Sequence, residues 1–137
     1  LAPESFSVEV AEDVAAGFEL LVGGRRDPRF GPLVVVAAGG LHAETLRDVA
    51  VALAPVDEAT AEELIRSLVS ASLLRGPRGR PPLDVAAAAR AVAALSHFAA
   101  AHPEVAEVEV NPLLVRREGV VALDARIVLG APLELAR

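Results

Sequence analysis

The sequence predicts an α+β domain, a mixed or antiparallel sheet with helices packed on one face. Short apolar runs with strand-like alternation occupy both ends of the chain, and two longer segments between them carry apolar residues at helical spacing. Stretches rich in Gly, Pro and Asp punctuate the two kinds of segment. With 137 residues, 53% of them hydrophobic, the chain is long enough to bury one core. Aliphatic side chains must fill it, since there are four Phe and no Trp, Tyr or Met.

The elements follow in order. Phe6 to Val10 alternates like a strand, Phe18 to Gly23 is an apolar strand ending at Gly23-Gly24, and Leu33 to Ala38 is a buried β-branched run. Arg25 to Pro32, rich in Gly, Pro and Asp, turns between the latter two. Val49 to Leu53 is a further short strand closed by Pro55. From Asp57 to about Leu68, Ala61, Leu64, Ile65 and Leu68 fall at i, i+3, i+4 and i+7, with Asp57 as N-cap and Glu58 in the positive first turn. Asp84 caps a second helix reaching about Ala101, with Val85, Ala88, Val92, Leu95 and Ala99 on one stripe and His102-Pro103 as its stop. The Gly- and Pro-rich stretch from Arg75 to Pro82 links the helices.

The most informative segment is Glu107-Val-Glu-Val-Asn-Pro112, followed by Asp124 in a second strand-like run, Val120 to Val128. Residues two apart on a strand share a face, so Glu107, Glu109 and Asn111 lie on one side and Val108 and Val110 on the other. The connection Arg116 to Gly119 has hairpin length. A loop of two or four residues sets Asn111 opposite Asp124; a loop of three slips the pairing by one unless a bulge at Gly119 absorbs it. Two carboxylates and an amide carbonyl are hard oxygen donors, suited to Mg²⁺ or Mn²⁺ and not to zinc. The spacing is equally that of a half-exposed strand with Glu107 and Glu109 in solvent and Asn111-Pro112 ending it.

Four stretches together carry a resemblance: Gly17-Phe-Glu-Leu-Leu-Val-Gly23 through Arg26-Asp27-Pro28 to Phe30-Gly31-Pro32; Gly39-Gly40 with Glu44 and Asp48; Leu74-Arg75-Gly76 with Arg78-Gly79 and Pro81-Pro82; and Glu109-Val-Asn-Pro112 with Asp124-Ala-Arg126. In this order they resemble the C-terminal lobe of the ATP-grasp domain of ADP-forming acyl-CoA synthetases, in the succinyl-CoA synthetase superfamily. The resemblance implies an ATP-grasp lobe in which Glu109, Asn111 and Asp124 hold the Mg²⁺ that bridges ATP or ADP phosphates. It implies an acid-thiol ligase whose phosphohistidine lies in a separate CoA-binding domain or subunit. A preceding lobe with phosphate-gripping basic residues has no counterpart here, and there is no lysine. The expectation is therefore one domain over 1–137, a fragment of a longer protein, inactive alone and supplying no catalytic residue itself. The competing expectation is a non-catalytic ATP-grasp-like module of a multidomain regulator, such as an acetyltransferase fusion.

Three further features complete the candidate set. Gly39-Gly40 after a buried strand allows backbone N–H groups to approach a phosphate, although a Gly pair there also serves as a plain turn. Glu19 inside an apolar run points to a paired or ligand-facing carboxylate, unless it faces outward. Arg75, Arg78 and Arg80 crowd one loop, where guanidinium groups can bind phosphate or remain solvated. His42 is not assigned the phosphoryl group, since no activating partner is evident. His97 and His102 read as helix-surface and helix-end residues. A net charge of −6 argues against a nucleic-acid surface, and no charge-free run is long enough to span a bilayer. With no Cys, a cytoplasmic setting is the simplest expectation.

Overall fold

The computed structural model describes residues 5–9, 17–40 and 47–130. His42 and Glu44 lie outside them. Among the described residues, seven strands and two α-helices follow in the order β1 (Ser5–Glu9), β2 (Phe18–Asp27), β3 (Gly31–Ala38), β4 (Val49–Leu53), α1 (Glu58–Ser67), α2 (Val85–Ala101), β5 (Val105–Val115), β6 (Val120–Ala122) and β7 (Asp124–Leu129). Two 3₁₀ segments, Val69–Arg75 and Pro77–Gly79, join α1 to α2. All strand pairings are antiparallel, in the order β1-β7-β5-β2-β3-β4, with β6 also paired to β5.

Both helices form where local chemistry starts them. The Asp57 carboxylate accepts the Thr60 N–H at 2.8 Å, and the Asp84 carboxylate accepts the Ala87 N–H at 3.0 Å, each satisfying an orphan donor of a first turn. Helix α2 packs on β2, β3 and β5, and α1 packs on α2, β3 and β4. Their apolar stripes meet Leu20, Val22, Val34, Val36, Leu113 and Val115 in one core. Ser96, fully buried on α2, accepts the Val56 N–H at 3.0 Å and donates to the Ala93 carbonyl at 2.7 Å, so the chain entering α1 is fastened to α2.

Three sequence expectations are corrected. Strand β2 does not end at Gly23-Gly24 but continues to Asp27. Glycine serves close packing there: a Cβ on Gly24 would lie 2.6 Å from Ala99 Cβ and 2.9 Å from Val108 Cγ1. The turn shrinks to Pro28-Arg29-Phe30, where the Asp27 carboxylate accepts the Arg29 and Phe30 N–H groups at 2.7 and 3.0 Å and Gly31 takes φ +81°. Strand β3 is not buried on both sides: Val34, Val36 and Ala38 face the core while Leu33, Val35 and Ala37 remain partly exposed. On neighbouring β4, Val49, Val51 and Leu53 are exposed while Ala50 and Ala52 pack inward. The sheet face away from the helices is thus open.

Candidate metal and nucleotide site

That open face carries the polar residues of β5 and β7. Their register pairs Glu107 with Val128, Glu109 with Arg126 and Val110 with Ala125. The β5–β6 register pairs Leu113 with Ala122 and Val115 with Val120, which is the same alignment continued. Between the two ladders Asn111 falls opposite Asp124, and Leu123 donates its N–H to the Pro112 carbonyl at 3.0 Å. Hairpin geometry explains the continuity: Arg116 N–H bonds the Gly119 carbonyl at 3.1 Å around Arg117 and Glu118, and Gly119 supplies the required φ of +75°.

A bulge is present, though not at Gly119. Leu20 pairs with Leu113 and Val22 with Val110, so Asn111 and Pro112 together oppose the single residue Leu21. The Asn111–Pro112 peptide is cis. The bulge returns Leu113 and Val115 to the core while Glu109 and Asn111 stay on the open face with the exposed Asp124. Strand β1 continues the row, its backbone register setting Glu9 opposite Asp124.

Glu107 belongs to a different local arrangement. It lies opposite Arg25 of β2, and its carboxylate is 3.6 Å from the Arg126 guanidinium. Arg126 thus pairs with the Glu107 carboxylate and lies opposite Glu109 in the strand register. An exposed pair of this kind contributes little to stability, but it presents a guanidinium beside the candidate oxygen set. Among the described residues no group of three or more His, Cys, Asp or Glu side chains could enclose a metal. Glu109, Asn111 and Asp124 are thus a candidate set of three oxygen donors on one open face, not an enclosed cage.

Glu19, Gly39 and Gly40 come together at the neighbouring end of β2 and β3. Gly39 donates its N–H to the Glu19 carbonyl at 2.8 Å, and a Cβ on Gly39 would sit 3.1 Å from Glu19 Cβ. The Gly39 amide is thus committed to the sheet and does not face a phosphate. Gly40 has φ +91°, and the Glu19 carboxylate lies against it, 3.1 Å from where a Cβ would stand. Glu19 reaches the open face, since Phe18 and Leu20 take the core side.

Asp48, Asp84 and Arg26 have structural work. Burial raises the Asp48 carboxyl, yet hydrogen bonds from the Ser70 hydroxyl, the Ser70 N–H and the Val69 N–H outweigh it and hold the group below its ordinary value. Asp84 accepts the Gly119 N–H at 2.9 Å and the Ala87 N–H, both lowering its carboxyl, and its own N–H bonds the Arg116 carbonyl at 2.7 Å. It locks the β5–β6 hairpin to the start of α2. Arg26 donates to the Ala99 carbonyl at 2.8 Å, satisfying the negative end of α2.

The family model described as the ATP-grasp domain matches residues 2–129. The chain belongs to the ATP-grasp family. As an ATP-grasp chain it is 40% identical over 123 residues to the ADP-forming acetate–CoA ligase I of Archaeoglobus fulgidus, covering 90% of this chain and 18% of that protein. It is 36% identical over 113 residues to the beta subunit of the ADP-forming acetate–CoA ligase I of Pyrococcus furiosus, covering 82% of this chain and 49% of the subunit. Its fold matches the dinucleotide-forming acetyl-coenzyme A synthetase 1 of Ca. Korarchaeum cryptofilum with a TM-score of 0.81 and 37% identity, over 85% of this chain and 55% of that one. That structure is a complex with coenzyme A and Mg-AMPPCP, its phosphohistidine segment pointing towards the nucleotide binding site. The ATP-grasp chain therefore spans at most about half of these relatives.

Proposed function

We propose that this chain is the metal- and nucleotide-binding lobe of an ADP-forming acyl-CoA synthetase, one domain of a longer protein. The observation that carries the reading is the shared register of β6 and β7 on β5, which sets Asn111 opposite Asp124 with Glu109 on the same open face. The relatives support it, being ADP-forming acetate–CoA ligases, one of them a beta subunit. The reaction is the reversible exchange of acyl-CoA, ADP and phosphate with carboxylic acid, CoA and ATP. The phosphoryl carrier is a histidine of a CoA-binding domain or subunit, and the setting is the cytoplasm, where ATP and CoA are drawn upon.

Within this chain the task is placement and charge. Glu109 and Asp124 offer anionic oxygens and Asn111 a neutral carbonyl, a donor set that fits Mg²⁺, or Mn²⁺ in its place. When bound, the ion neutralises phosphate charge as the phosphoryl group is transferred. Arg126, across from Glu109, is positioned to meet a phosphate oxygen that the carboxylates alone would repel. The Glu19 carboxylate lies against Gly40 on the same face, and we assign it to the nucleotide side of the site.

The test is Mg²⁺-dependent ATP turnover by the full-length protein. Asp124→Ala is expected to lower turnover about a hundredfold or more with the fold intact, because it removes one anionic ligand from an exposed position. Glu107→Ala, which removes only the partner of Arg126, is expected to change turnover a few-fold. Equal losses in the two variants, or normal turnover by Asp124→Ala, would overturn the assignment.

A further inference from the structure

At the end of the sheet beyond the candidate metal site, a cleft of about 840 Å³ opens between the hairpin β5–β6 and the 3₁₀ segments. Phe18, Leu73 and Leu83 form an apolar part of its lining, and Arg80, Arg116 and Arg117 a cationic part. The two arginine groups are distant in sequence and are joined by Asp84, which bonds the backbone of Arg116 and Gly119. Leu83 N–H bonds the Leu74 carbonyl at 2.9 Å and fixes the loop that carries Arg80. Gly76, at φ +80°, has no room for a Cβ against the Arg80 carbonyl, so glycine is required to bring the loop back on itself. Arg78, at φ 60°, and Gly79, at φ +76°, complete the fold-back.

The charge is notable against its background. In a chain of net charge −6, Arg80, Arg116 and Arg117 line this one cleft, with Glu118 as the acidic residue among them. No ion pair among the described residues engages Arg80 or Arg117, and both are exposed. Two exposed guanidinium groups at the rim of a partly apolar cleft make an anion site with a hydrophobic floor. The volume falls within the range of small-molecule pockets, whereas an acidic protein segment would need no such concavity.

We infer that this cleft binds a small phosphate monoester with an apolar body, the phosphate held by Arg80 and Arg117 and the body against Phe18, Leu73 and Leu83. The site is separate from the oxygen set of Glu109, Asn111 and Asp124 and requires no metal. It stands whether or not the acyl-CoA synthetase reading holds.

The experiment is titration of the purified chain, without divalent metal, with 4-nitrophenyl phosphate and with inorganic phosphate, followed by calorimetry and by amide shifts. The ester is expected to bind saturably and more tightly than inorganic phosphate, moving the amides of Gly17 and Gly76. Arg80→Ala and Arg117→Ala are each expected to weaken it about tenfold or more, the loss of one charge-assisted contact. Leu73→Ser should weaken the ester while leaving inorganic phosphate unchanged, and Arg29→Ala, an exposed arginine at the β2–β3 turn outside the cleft, should leave both unchanged. Absence of saturable binding, equal losses in Arg29→Ala, or displacement of the ester by an acidic peptide of matched concentration would each overturn the inference.

Discussion

Gly24 gives the sharpest test of how the sheet and α2 fit together. Adding a methyl there places a Cβ 2.6 Å from Ala99 Cβ and 2.9 Å from Val108 Cγ1, with Leu95 Cδ2 at 3.4 Å. Ordinary carbon contacts need 3.5 Å or more, so the helix or β5 must shift. Overpacking of this size costs about 1–3 kcal/mol, and the better strand propensity of alanine returns about 0.5–1 kcal/mol. Gly24→Ala is therefore expected to destabilise by about 1–2 kcal/mol. With no Trp or Tyr in the chain, urea unfolding is best followed by far-UV circular dichroism. At a slope of about 2 kcal/mol/M the midpoint should fall by about 0.5–1 M. Ala99→Gly alone should also destabilise, by about 1 kcal/mol, through helix propensity. If the clash is the cause, Gly24→Ala with Ala99→Gly should be more stable than the sum of the single effects by about 1 kcal/mol or more. Additivity within about 0.5 kcal/mol would refute the reasoning.

Other consequences are equally measurable. Ser96→Ala leaves the buried Val56 N–H without its acceptor and should cost about 1–3 kcal/mol in the same unfolding assay. Asp48 is held below its ordinary carboxyl value, so its contribution is present above the unfolded value and lost as pH falls through the folded one. Stability should therefore drop on acidification below the normal carboxylate range, and Asp48→Asn should flatten that part of the profile. Gly31→Ala meets no neighbour within 4 Å and should cost only the left-handed conformation, about 1–2 kcal/mol, with no coupling to Ala99→Gly.

What could be read from the sequence was what depends on neighbours along the chain. The caps Asp57 and Asp84, the helical stripes and the parity of Glu107, Glu109 and Asn111 are local features, and they form as expected. Features set by distant partners were not legible. Gly24 looks like a strand end until Ala99 is brought over it, and the bulge at Asn111-Pro112 exists only relative to Leu21 on another strand. Arg26 and Asp48 sit in stretches that read as functional, yet their bonds go to the end of α2 and the start of a 3₁₀ segment. Of the loop arginines Arg75, Arg78 and Arg80, only Arg80 lines the cleft at the hairpin, and nothing local indicates that Arg116 and Arg117 join it.

Strand β4 has a bearing on how the chain behaves in concentrated solution. It is the last strand of the sheet among the described residues, and its five residues Val49–Leu53 carry no charge. Its outward side chains, Val49, Val51 and Leu53, are 51%, 53% and 61% exposed. An uncharged edge with an apolar flank is a template on which like strands stack, and charged side chains are the common natural guard against it. Self-association should therefore begin at this margin and grow with concentration. A single Val51→Lys, placed at the centre of the row and away from the core, should raise the concentration at which the chain stays monomeric in sedimentation while leaving its unfolding midpoint unmoved.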